Sequence, residues 1–233
     1  MNKIILGDSS EILKNIERES ISLVITSPPY KDSDNFSYTL MSNVFAETYK
    51  IQKENTLLFL NFGHLAEDKM RPFKVCQLLI DIGYSLNETI IWVKNHYKPI
   101  QGKRRLNNLT EFIFMLYKGK MPEIDRLSIG IPYVDKTNAK RFNNGQDLHC
   151  AGNVWYINYP TINKSDDKLH NDRFPEELSN KCIKLSGLKS GIVLDPFSGS
   201  GTVAVSSKKL GLNYIGIEKN PEHYNTSMIR LNN

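Results

Sequence analysis

The sequence predicts an α/β protein built on a doubly wound, mostly parallel β-sheet. Short apolar runs rich in Ile, Leu and Val alternate with helical segments over most of the chain, and this alternation is typical of strands joined by helical crossovers. Near the end of the chain an apolar run leads through the glycine-rich turn DPFSGSGT into a helix, as in nucleotide-binding α/β folds. We therefore expect a sheet of seven strands.

The size of the chain suits one domain with an insertion. It has 233 residues, of which 40% are hydrophobic, and this is enough for a substantial core. We expect a single domain over residues 1–233. The stretch 120–153 interrupts the alternation, because Pro, Gly, Asn and Asp are frequent there and the periodicity is weak. It is predicted to be an irregular inserted segment.

The elements before the insertion follow from their local patterns. The chain begins with the strand KIIL, the helix SSEILKNI with a serine cap, and the strand ISLVIT. A helix over 44–50 precedes the strand TLLFLNFG. The next helix, within EDKMRPFKVCQLLIDIG, ends at Gly83, because glycine favours a helix C-terminus. The β-rich runs ETIIWVKN and EFIFMLYKG are the next two strands.

After the insertion the alternation of helices and strands resumes. The segment FPEELSNKCIKLSG predicts a helix and GIVLDPF predicts a strand. A helix starting near Ser200, the strand NYIGIE and a last helix complete the fold.

Composition sets limits on the partners. A net charge of +5 is compatible with a polyanionic partner but does not require one. Cys76, Cys150 and Cys182 are far apart in sequence, so we expect neither a disulfide framework nor a metal site, and a reduced, cytoplasmic location. No apolar run approaches membrane-spanning length and the amino terminus lacks a signal-peptide core, so no membrane partner is expected.

The strand ISLVIT ends abruptly at Ser27, Pro28, Pro29 and Tyr30. Two prolines terminate a strand, because proline has no N–H group and its φ is fixed. One interpretation is a plain strand end with a buried tyrosine. The other is a rigid cleft edge, where a hydroxyl, unpaired backbone carbonyls and an aromatic ring face a flat substrate. The motif alone does not decide between them.

A second motif lies in GIVLDPFSGSGTVAVSSKKLGLNYIGIEKN, where a strand ends at Asp195 and the next strand ends at Glu218. Gly199 and Gly201 between them would let the backbone approach a ligand beside the free N–H groups of a helix. Glu218 stands where a carboxylate receives ribose hydroxyls in nucleotide-binding α/β folds. A phosphate-binding loop is excluded, because Thr202 and not lysine follows the last glycine.

TSPPY and DPFSGSGT together resemble the catalytic and cofactor motifs of the S-adenosylmethionine-dependent DNA amino-methyltransferases. The catalytic motif comes first and the cofactor motif last, which resembles the permuted β group common among restriction–modification methylases. LGDSSEIL, LFLNFG, GYSLNETIIWVKN and LHNDRFPEEL resemble further motifs, so the resemblance covers nearly the whole chain. In the last of these Asn171 replaces the usual proline. The resemblance implies a Rossmann-like methyltransferase fold in which 120–153 is the target-recognition region.

The resemblance also implies a site for S-adenosyl-L-methionine. Glu218 would bind the ribose hydroxyls, Asp8 would approach the adenine, and Asp195 with the backbone of 197–201 would surround the methionine part. Thr202 and His170 would lie near its carboxylate. The implied cofactor-binding residues are Asp8, His170, Asp195, Phe197, Gly199, Ser200, Gly201, Thr202 and Glu218. A turn residue at Asp8, a core residue at Phe197 and a surface residue at His170 stay open as simpler interpretations.

The implied catalytic residues are Ser27, Pro28, Pro29 and Tyr30. An exocyclic amine on a base is a poor nucleophile, because its lone pair is delocalised into the ring. The Ser27 side chain and the Pro28 carbonyl can accept its hydrogens and favour a pyramidal nitrogen with a localised lone pair. Tyr30 offers a stacking face to a base that is flipped out of the duplex.

Two basic segments are predicted to contact double-stranded DNA. WVKNHYKPIQGKRRLNN, which also carries His96 and Tyr97, follows a strand end, and such ends face the ligand crevice in open α/β sheets. The stretch 120–153 supplies further charges and Asn143. The predicted DNA-binding residues are Lys94, Lys98, Lys103, Arg104, Arg105, Lys136, Lys140 and Arg141.

The target base is predicted from the first position of the catalytic motif. Serine there resembles the N4-cytosine enzymes, whereas Asp or Asn is usual in N6-adenine enzymes. A serine hydroxyl can accept from either amine, so N6 of adenine stays the alternative. RNA or protein-glutamine methyltransferases place a similar motif after the cofactor motif, opposite to the order here. A catalytically inactive DNA-binding module is a third interpretation, and the intact Ser27, Tyr30, Asp195 and Glu218 argue against it. A homodimer and a cognate restriction endonuclease stay open as partners.

Overall fold

The computed structural model describes residues 2–31, 35–95, 104–142, 146–159 and 174–232, with only the backbone at 142. Within these ranges the strands are β1 (Asn2–Leu6), β2 (Ile21–Thr26), β3 (Gln52–Gly63), β4 (Ser85–Val93), β5 (Thr110–Lys118), β6 (Val154–Tyr156), β7 (Ile192–Asp195) and β8 (Asn213–Glu218). The helices are α1 (Ser9–Ile12), α2 (Tyr38–Ile51), α3 (Arg71–Ile82), α4 (Lys136–Phe142), α5 (Glu176–Leu185), α6 (Thr202–Lys209) and α7 (Pro221–Asn232).

All the strands belong to one sheet, in the order β1-β8-β7-β2-β3-β5-β4-β6. Every pairing is parallel except those of β5, which runs antiparallel to both β3 and β4. The predicted doubly wound, mostly parallel α/β class is therefore confirmed. In the described part of the chain the sheet has eight strands and not seven. The additional strand, β6, has three residues, too few for a sequence period to reveal.

The first helix differs from its prediction. It ends at Ile12, and a 3-10 turn over Leu13–Asn15 continues it. Its cap is Asp8 and not a serine: the Asp8 carboxylate accepts a hydrogen bond from the Ser10 backbone N–H at 3.0 Å. Aspartate caps a helix as well as serine does. The expected polar cap is therefore present, but it is Asp8 and not the serine that follows it.

Two further helices extend beyond the expectation. The helix expected over 44–50 begins at Tyr38, because Ser37 caps it with a hydrogen bond from the Leu40 N–H. Helix α4 lies inside the stretch 120–153, which was expected to be irregular. Among the side chains of α4 that the structure describes, the buried apolar one is Ala139. The sequence KTNAKRF has too few apolar residues to form the stripe by which a helix is usually recognised.

The two faces of the sheet pack against different helices. Along β2, Val24 points into the core formed with α2 and α3, whereas Leu23 and Ile25 point into the core formed with α5 and α6. This alternation follows from the two-residue period of a strand. Because both faces are covered, all six residues of β2 are buried, and four of them are apolar.

The carboxyl ends of the parallel strands meet at one edge of the sheet. The last residues of three neighbouring strands lie there: Thr26 of β2, Asp195 of β7 and Glu218 of β8. Since β5 is antiparallel, its first residues lie at this same edge. Clefts outside the carboxyl ends of such a sheet are the usual ligand sites of this architecture. None of the helices in the described ranges is long and apolar enough to cross a membrane.

Candidate active site

The motif that follows β2 is held against β3. The Ser27 hydroxyl and the Tyr30 hydroxyl lie 2.7 Å apart. Pro28 is buried, Pro29 is half-buried and Lys31 is exposed. The Tyr30 ring stacks on Phe62 with centroids 4.5 Å apart. At Gly63 a Cβ would come within 2.8 Å of the Tyr30 ring, so glycine is needed for this close approach. The strand end is therefore a rigid turn and not a loose one.

The backbone of this turn is also fixed from α3. The Arg71 guanidinium donates a hydrogen bond to the Tyr30 carbonyl at 2.9 Å and lies 4.5 Å from the centre of the Phe36 ring. Arg71 is a residue that the sequence analysis did not identify. Its position inside an amphipathic helix resembles that of any surface charge, so no local signal marks it.

Two polar residues of neighbouring strands complete the surroundings of Tyr30. Asn61 on β3 donates from Nδ2 to the Tyr30 hydroxyl and to Glu111 Oε2, in both cases at 2.7 Å. Glu111 on β5 lies 3.2 Å from the Tyr30 hydroxyl. Burial raises the pKa of Tyr30 well above its ordinary value, and the neighbouring Glu111 charge adds to this effect. Tyr30 is therefore a neutral phenol at physiological pH.

Asn61 and Glu111 were missed by the sequence analysis, although a signal exists for each. Asn61 is a polar side chain inside the apolar run LLFLNF, and it is 2% exposed in the fold. Glu111 immediately precedes the apolar run FIFMLY. A buried polar group needs a partner, so an isolated Asn in a central strand predicts a polar network.

Lys94, one of the predicted DNA-binding residues, forms a salt bridge with Glu111. Its side chain is 18% exposed, and its ammonium group lies 5.0 Å from the Trp92 ring centre and 5.7 Å from that of Tyr159. It is thus placed beside the catalytic motif and not on an open surface. A contact with phosphate would have to compete with this ion pair.

The second motif forms the neighbouring part of the same edge. Asp195 is 3% exposed, and its Oδ1 accepts hydrogen bonds from the Thr26 hydroxyl at 2.7 Å and from the Phe197 N–H at 3.0 Å. Burial raises the pKa of Asp195 to about 7, and the nearby Glu218 charge contributes to the shift. This carboxyl links the end of β2 to the glycine turn.

Glu218 holds the glycine turn from the end of β8. One of its oxygens accepts from the Gly199 N–H and the other from the Asn220 N–H, both at 2.7 Å. Each carboxylate oxygen has a further lone pair, so the residue can still accept hydrogen bonds from a diol. The Glu218 side chain is 12% exposed, so it is largely buried at this edge of the sheet.

The two predicted ligand-facing glycines differ in what requires them. Gly199 has a φ of +52°, and a Cβ built there would meet nothing within 4 Å. The space beside it is open to a ligand. Gly201 has a φ of +79°, and its Cβ would lie 2.7 Å from the Ser227 Cβ of α7. Gly201 is therefore required by helix packing, whereas Gly199 fits the predicted ligand approach.

Ser200 and Thr202 are buried and face α7. Arg230 Nη1 donates to the Ser200 carbonyl at 2.7 Å and lies 3.2 Å from the Thr202 hydroxyl, while Nη2 contacts Glu176 at 3.0 Å. The resemblance placed the Thr202 hydroxyl near the cofactor carboxylate, but in the fold this hydroxyl contributes to a contact between α6 and α7. Arg230 was not identified from the sequence, because it lies near the end of the chain among ordinary surface charges.

Asp8 lies beside Glu218 on the adjacent strand end. The Gly7 N–H donates to the Glu218 carbonyl at 2.8 Å, and the Asp8 carboxylate pairs with Lys219 at 2.9 Å. The hydrogen bond from Lys219, followed by that from Ser10, lowers the pKa of Asp8 to about 2. Asp8 is thus both the predicted turn residue before a helix and a charged group close to the expected cofactor site.

The residues present fit S-adenosyl-L-methionine. Glu218 offers a carboxylate at the end of a strand, and Phe197 is half-buried beside the core. Open space adjoins Gly199. In the same turn, the Ser198 hydroxyl is buried against Gly216 of β8 and has no hydrogen-bond partner within the described part of the protein. His170 lies outside the described residues.

Most of the predicted DNA-binding residues that the structure describes are exposed. Arg104 and Arg105 are exposed just before β5, and Lys140 and Arg141 are exposed on α4. Lys136 pairs with Asp147 at 2.5 Å on the surface. Lys98, Lys103, His96, Tyr97 and Asn143 lie outside the described residues. The described residues contain no cluster of three or more His, Cys, Asp or Glu side chains suited to a metal ion.

The fold and the two motifs at this edge of the sheet are those of a Rossmann-like methyltransferase. A family model described as DNA methylase matches residues 21–229, and the chain belongs to this family. It is an S-adenosyl-L-methionine-dependent DNA amino-methyltransferase.

Relatives cover the chain almost completely. The Type II methyltransferase M1.MboII of Moraxella bovis is 28% identical in sequence, and the alignment covers 100% of this chain and 97% of M1.MboII. The Type II methyltransferase M.SmaI of Serratia marcescens is 26% identical, covering 98% and 90% respectively.

Two solved structures share the fold. The cytosine-N4-specific PvuII DNA methyltransferase superposes with a TM-score of 0.76 at 22% identity, covering 98% of this chain and 86% of its own. The M1.HpyAVI–SAM complex has a TM-score of 0.72 at 24% identity, covering 100% of both chains.

Proposed function

We propose that the protein transfers a methyl group from S-adenosyl-L-methionine to the exocyclic N4 of a cytosine flipped out of duplex DNA. The observation that carries the choice of base is Ser27 at the first position of the catalytic motif, with its hydroxyl 2.7 Å from that of Tyr30. The structurally similar PvuII enzyme is described as cytosine-N4-specific, which supports the same choice.

The residues have separate tasks in this proposal. Ser27 Oγ and the Pro28 carbonyl accept the two amine hydrogens, and Pro29 keeps that backbone rigid. Tyr30 provides a stacking face, which is worth about 1–3 kcal/mol per base in nucleic-acid complexes. The cofactor supplies an activated methyl group bound to a positively charged sulfur. The amine releases its extra proton after the transfer, so the main task of the protein is to align the amine for attack.

On the cofactor side, we propose that Glu218 receives the ribose hydroxyls and that Asp8 lies towards the adenine. Asp195, Phe197 and Gly199 would adjoin the methionine part. Because Ser200, Gly201 and Thr202 face α7, we assign them a supporting task, in which they fix the turn. His170 stays a prediction.

The cofactor site is testable without DNA. Glu218→Ala removes the acceptors for the ribose and should weaken cofactor binding by about 1–3 kcal/mol in calorimetry. Glu222→Ala, on the exposed first turn of α7, is a matched control and should bind as the wild type does. Unchanged affinity in Glu218→Ala would place the ribose elsewhere.

N6 of adenine is the second candidate, because a serine hydroxyl accepts a hydrogen from either amine. Incubation with labelled S-adenosyl-L-methionine and duplex DNA, tRNA or protein, followed by mass spectrometry of the nucleosides, separates the candidates. We expect N4-methylcytosine in duplex DNA. N6-methyladenine would reverse the choice of base, and label confined to RNA or protein would overturn the proposal.

The name that the relatives share, Type II methyltransferase, supports a place in a restriction–modification system. Such an enzyme would act in the cytoplasm and protect DNA from a cognate endonuclease. A homodimer would extend the short recognition segment 120–153 over a longer DNA sequence. Light scattering of the protein alone and with DNA measures its oligomeric state, and a monomer under both conditions would exclude the dimer.

A further inference from the structure

A chain of hydrogen bonds leads from Ser27 away from the expected position of the base. Ser27 Oγ lies 2.7 Å from Tyr30 Oη, and Tyr30 Oη lies 3.2 Å from Glu111 Oε2. Asn61 Nδ2 bridges the last two, at 2.7 Å from each. The other Glu111 oxygen is paired with Lys94. The chain is enclosed, since the Glu111 side chain is 12% exposed and that of Lys94 is 18% exposed.

The direction of every bond in this chain follows from its charged end. A carboxylate can only accept hydrogen bonds, so Asn61 must turn its NH₂ group towards Glu111. This orientation leaves the buried Asn61 Oδ1 without a partner among the described residues, which is a costly arrangement. It is nevertheless preferred to its reverse, because a turned amide would place an oxygen against a carboxylate at 2.7 Å.

The direction of the Tyr30 hydroxyl follows from the charge of Glu111. It accepts a hydrogen from Asn61, and it has a single hydrogen of its own to donate. Three oxygens lie within reach of that hydrogen: Ser27 Oγ at 2.7 Å, Glu111 Oε2 at 3.2 Å and the Asn61 carbonyl oxygen at 3.4 Å. The carboxylate is the stronger acceptor, because a hydrogen bond to a charged group is roughly twice as strong as one between neutral groups. The hydrogen of Tyr30 is therefore assigned to Glu111. The remaining contact, between the two hydroxyls, therefore requires Ser27 to donate and Tyr30 to accept.

We infer that Glu111 is a positioning residue that fixes Ser27 as a hydrogen-bond acceptor towards the target base. This inference rests on the proposed function. A free serine can either donate or accept, but here its only hydrogen is used on Tyr30, and lone pairs alone remain for a ligand. An exocyclic amine, which donates, matches this arrangement. A carbonyl oxygen at the same ring position, as in thymine, meets only acceptors and is rejected.

Tyr30 has two tasks in this arrangement. Its ring supports the base, while its hydroxyl transmits the orientation set by Glu111 to Ser27. Lys94 pairs with Glu111, so that the negative charge of the half-buried carboxylate has an opposite charge beside it. The network thereby prepares the acceptor before the base arrives, and reorientation does not add to the barrier of the reaction.

A double-mutant cycle tests whether Glu111 acts through the Tyr30 hydroxyl. The variants are Glu111→Gln, Tyr30→Phe and the combination, with single-turnover methyl transfer on duplex DNA as the measurement. We expect Glu111→Gln to lower the rate by roughly tenfold or more, because the new amide donates to Tyr30 and turns the hydrogen of Tyr30 towards Ser27. In the Tyr30→Phe background the same change should alter the rate less than about twofold.

Independent, multiplying losses would overturn the inference, since a merely structural Glu111 predicts them. Glu177→Gln is the matched control. Its side chain is 54% exposed on α5 and contacts Lys181, and its rate should equal that of the wild type.

A second measurement does not depend on activity or on the Glu111 variant. With tyrosine labelled at Cζ, the NMR signal that disappears in Tyr30→Phe belongs to Tyr30. A shift typical of a phenol that donates to a carboxylate is the expected result. A shift typical of a phenol that only accepts overturns the orientation, even where methyl transfer is normal. Absence of methyl transfer to any duplex by the wild type would instead overturn the proposed function.

Discussion

Ser27 is the residue at which binding and chemistry can be separated. In the proposed mechanism its oxygen acts on the amine as the nitrogen becomes pyramidal, so it stabilises the transition state more than the bound state. Ser27→Ala should lower the single-turnover rate on the order of 10²-fold while cofactor and DNA affinity stay close to wild type. Ser20→Ala is the control, because the Ser20 hydroxyl donates to the Glu17 carbonyl in the turn before β2, at the other end of that strand from Ser27. A full rate in Ser27→Ala would leave the serine as a strand end only.

Asp195 gives the cofactor-free protein a pH-dependent stability. Its pKa is raised from 3.8 to about 7 by burial, so the folded state binds the proton more tightly than the unfolded chain. The contribution of this group to the free energy of unfolding therefore decreases as the pH rises from about 4 to about 7. Asp195→Asn keeps an acceptor for Thr26 and for the Phe197 N–H. It should be more stable than the wild type at about pH 8, by up to roughly 4 kcal/mol.

Denaturant unfolding of the cofactor-free protein over that pH range measures this effect. The decrease between about pH 4 and 7 should be absent in Asp195→Asn and unchanged in the exposed control Asp81→Asn. Parallel pH profiles for wild type and Asp195→Asn would show that Asp195 has an ordinary pKa in the fold.

At the scale of elements, the antiparallel direction of β5 decides the composition of the site. Glu111 is the second residue of this strand and pairs with Gly63, the last residue of β3. In a parallel β5 the same residue would lie at the opposite edge of the sheet. The strand pattern EFIFMLY contains no information about direction, because a buried strand has the same apolar sequence either way. Glu111 therefore could not be placed in the site from sequence.

The glycine turn between β7 and α6 allows stability and ligand binding to be tested separately. Gly201→Ala should cost about 1–3 kcal/mol of unfolding free energy, because its Cβ would lie 2.7 Å from Ser227 and its φ is +79°. Gly199→Ala meets open space and should cost about 1 kcal/mol or less, while weakening cofactor binding by steric conflict. Denaturant unfolding and calorimetry of both variants measure the two effects. Equal losses of stability would contradict this difference.

At the scale of the whole molecule, the carboxyl edge of the sheet carries the proposed DNA surface. Arg104 and Arg105 are exposed next to the strand that supplies Glu111. The double variant Arg104→Ala/Arg105→Ala should weaken DNA binding for all sequences. It should also reduce the slope of log affinity against log salt by about 0.9 for each phosphate that it no longer neutralises, because binding to phosphates releases counterions without reading bases.

Lys53→Ala/Lys189→Ala removes the same charge from the opposite edge of the sheet and is the matched control, because Lys53 is exposed at the start of β3 and Lys189 is exposed shortly before β7. Binding measured at several salt concentrations distinguishes the two edges. A loss confined to one preferred sequence would make Arg104 and Arg105 base readers, and equal losses in both double variants would show only an effect of net charge.

The sequence alone determined the class of fold and the order of its motifs. Period-two apolar runs and glycine or proline boundaries are local properties, so β2, β7 and β8 were placed correctly by pattern. The same holds for the clustering of Ser27, Asp195 and Glu218, because parallel strands bring their carboxyl ends to one edge whatever their spacing in the chain. Local patterns failed where elements were short, as in β6, or lacked an apolar stripe, as in α4.

Only the tertiary structure decided which side chains meet. Asn61 and Glu111 are 50 residues apart, and their contact depends on the antiparallel register of β3 and β5. The same applies to Arg230, which is 28 residues from Thr202 and occupies its hydroxyl. Hydrogen-bond partners across strands and helices depend on register and packing, which the local sequence does not encode. The resemblance therefore located the motif of Ser27 and Tyr30, whereas the fold revealed the Glu111 network from which the direction of the Ser27 hydroxyl is inferred.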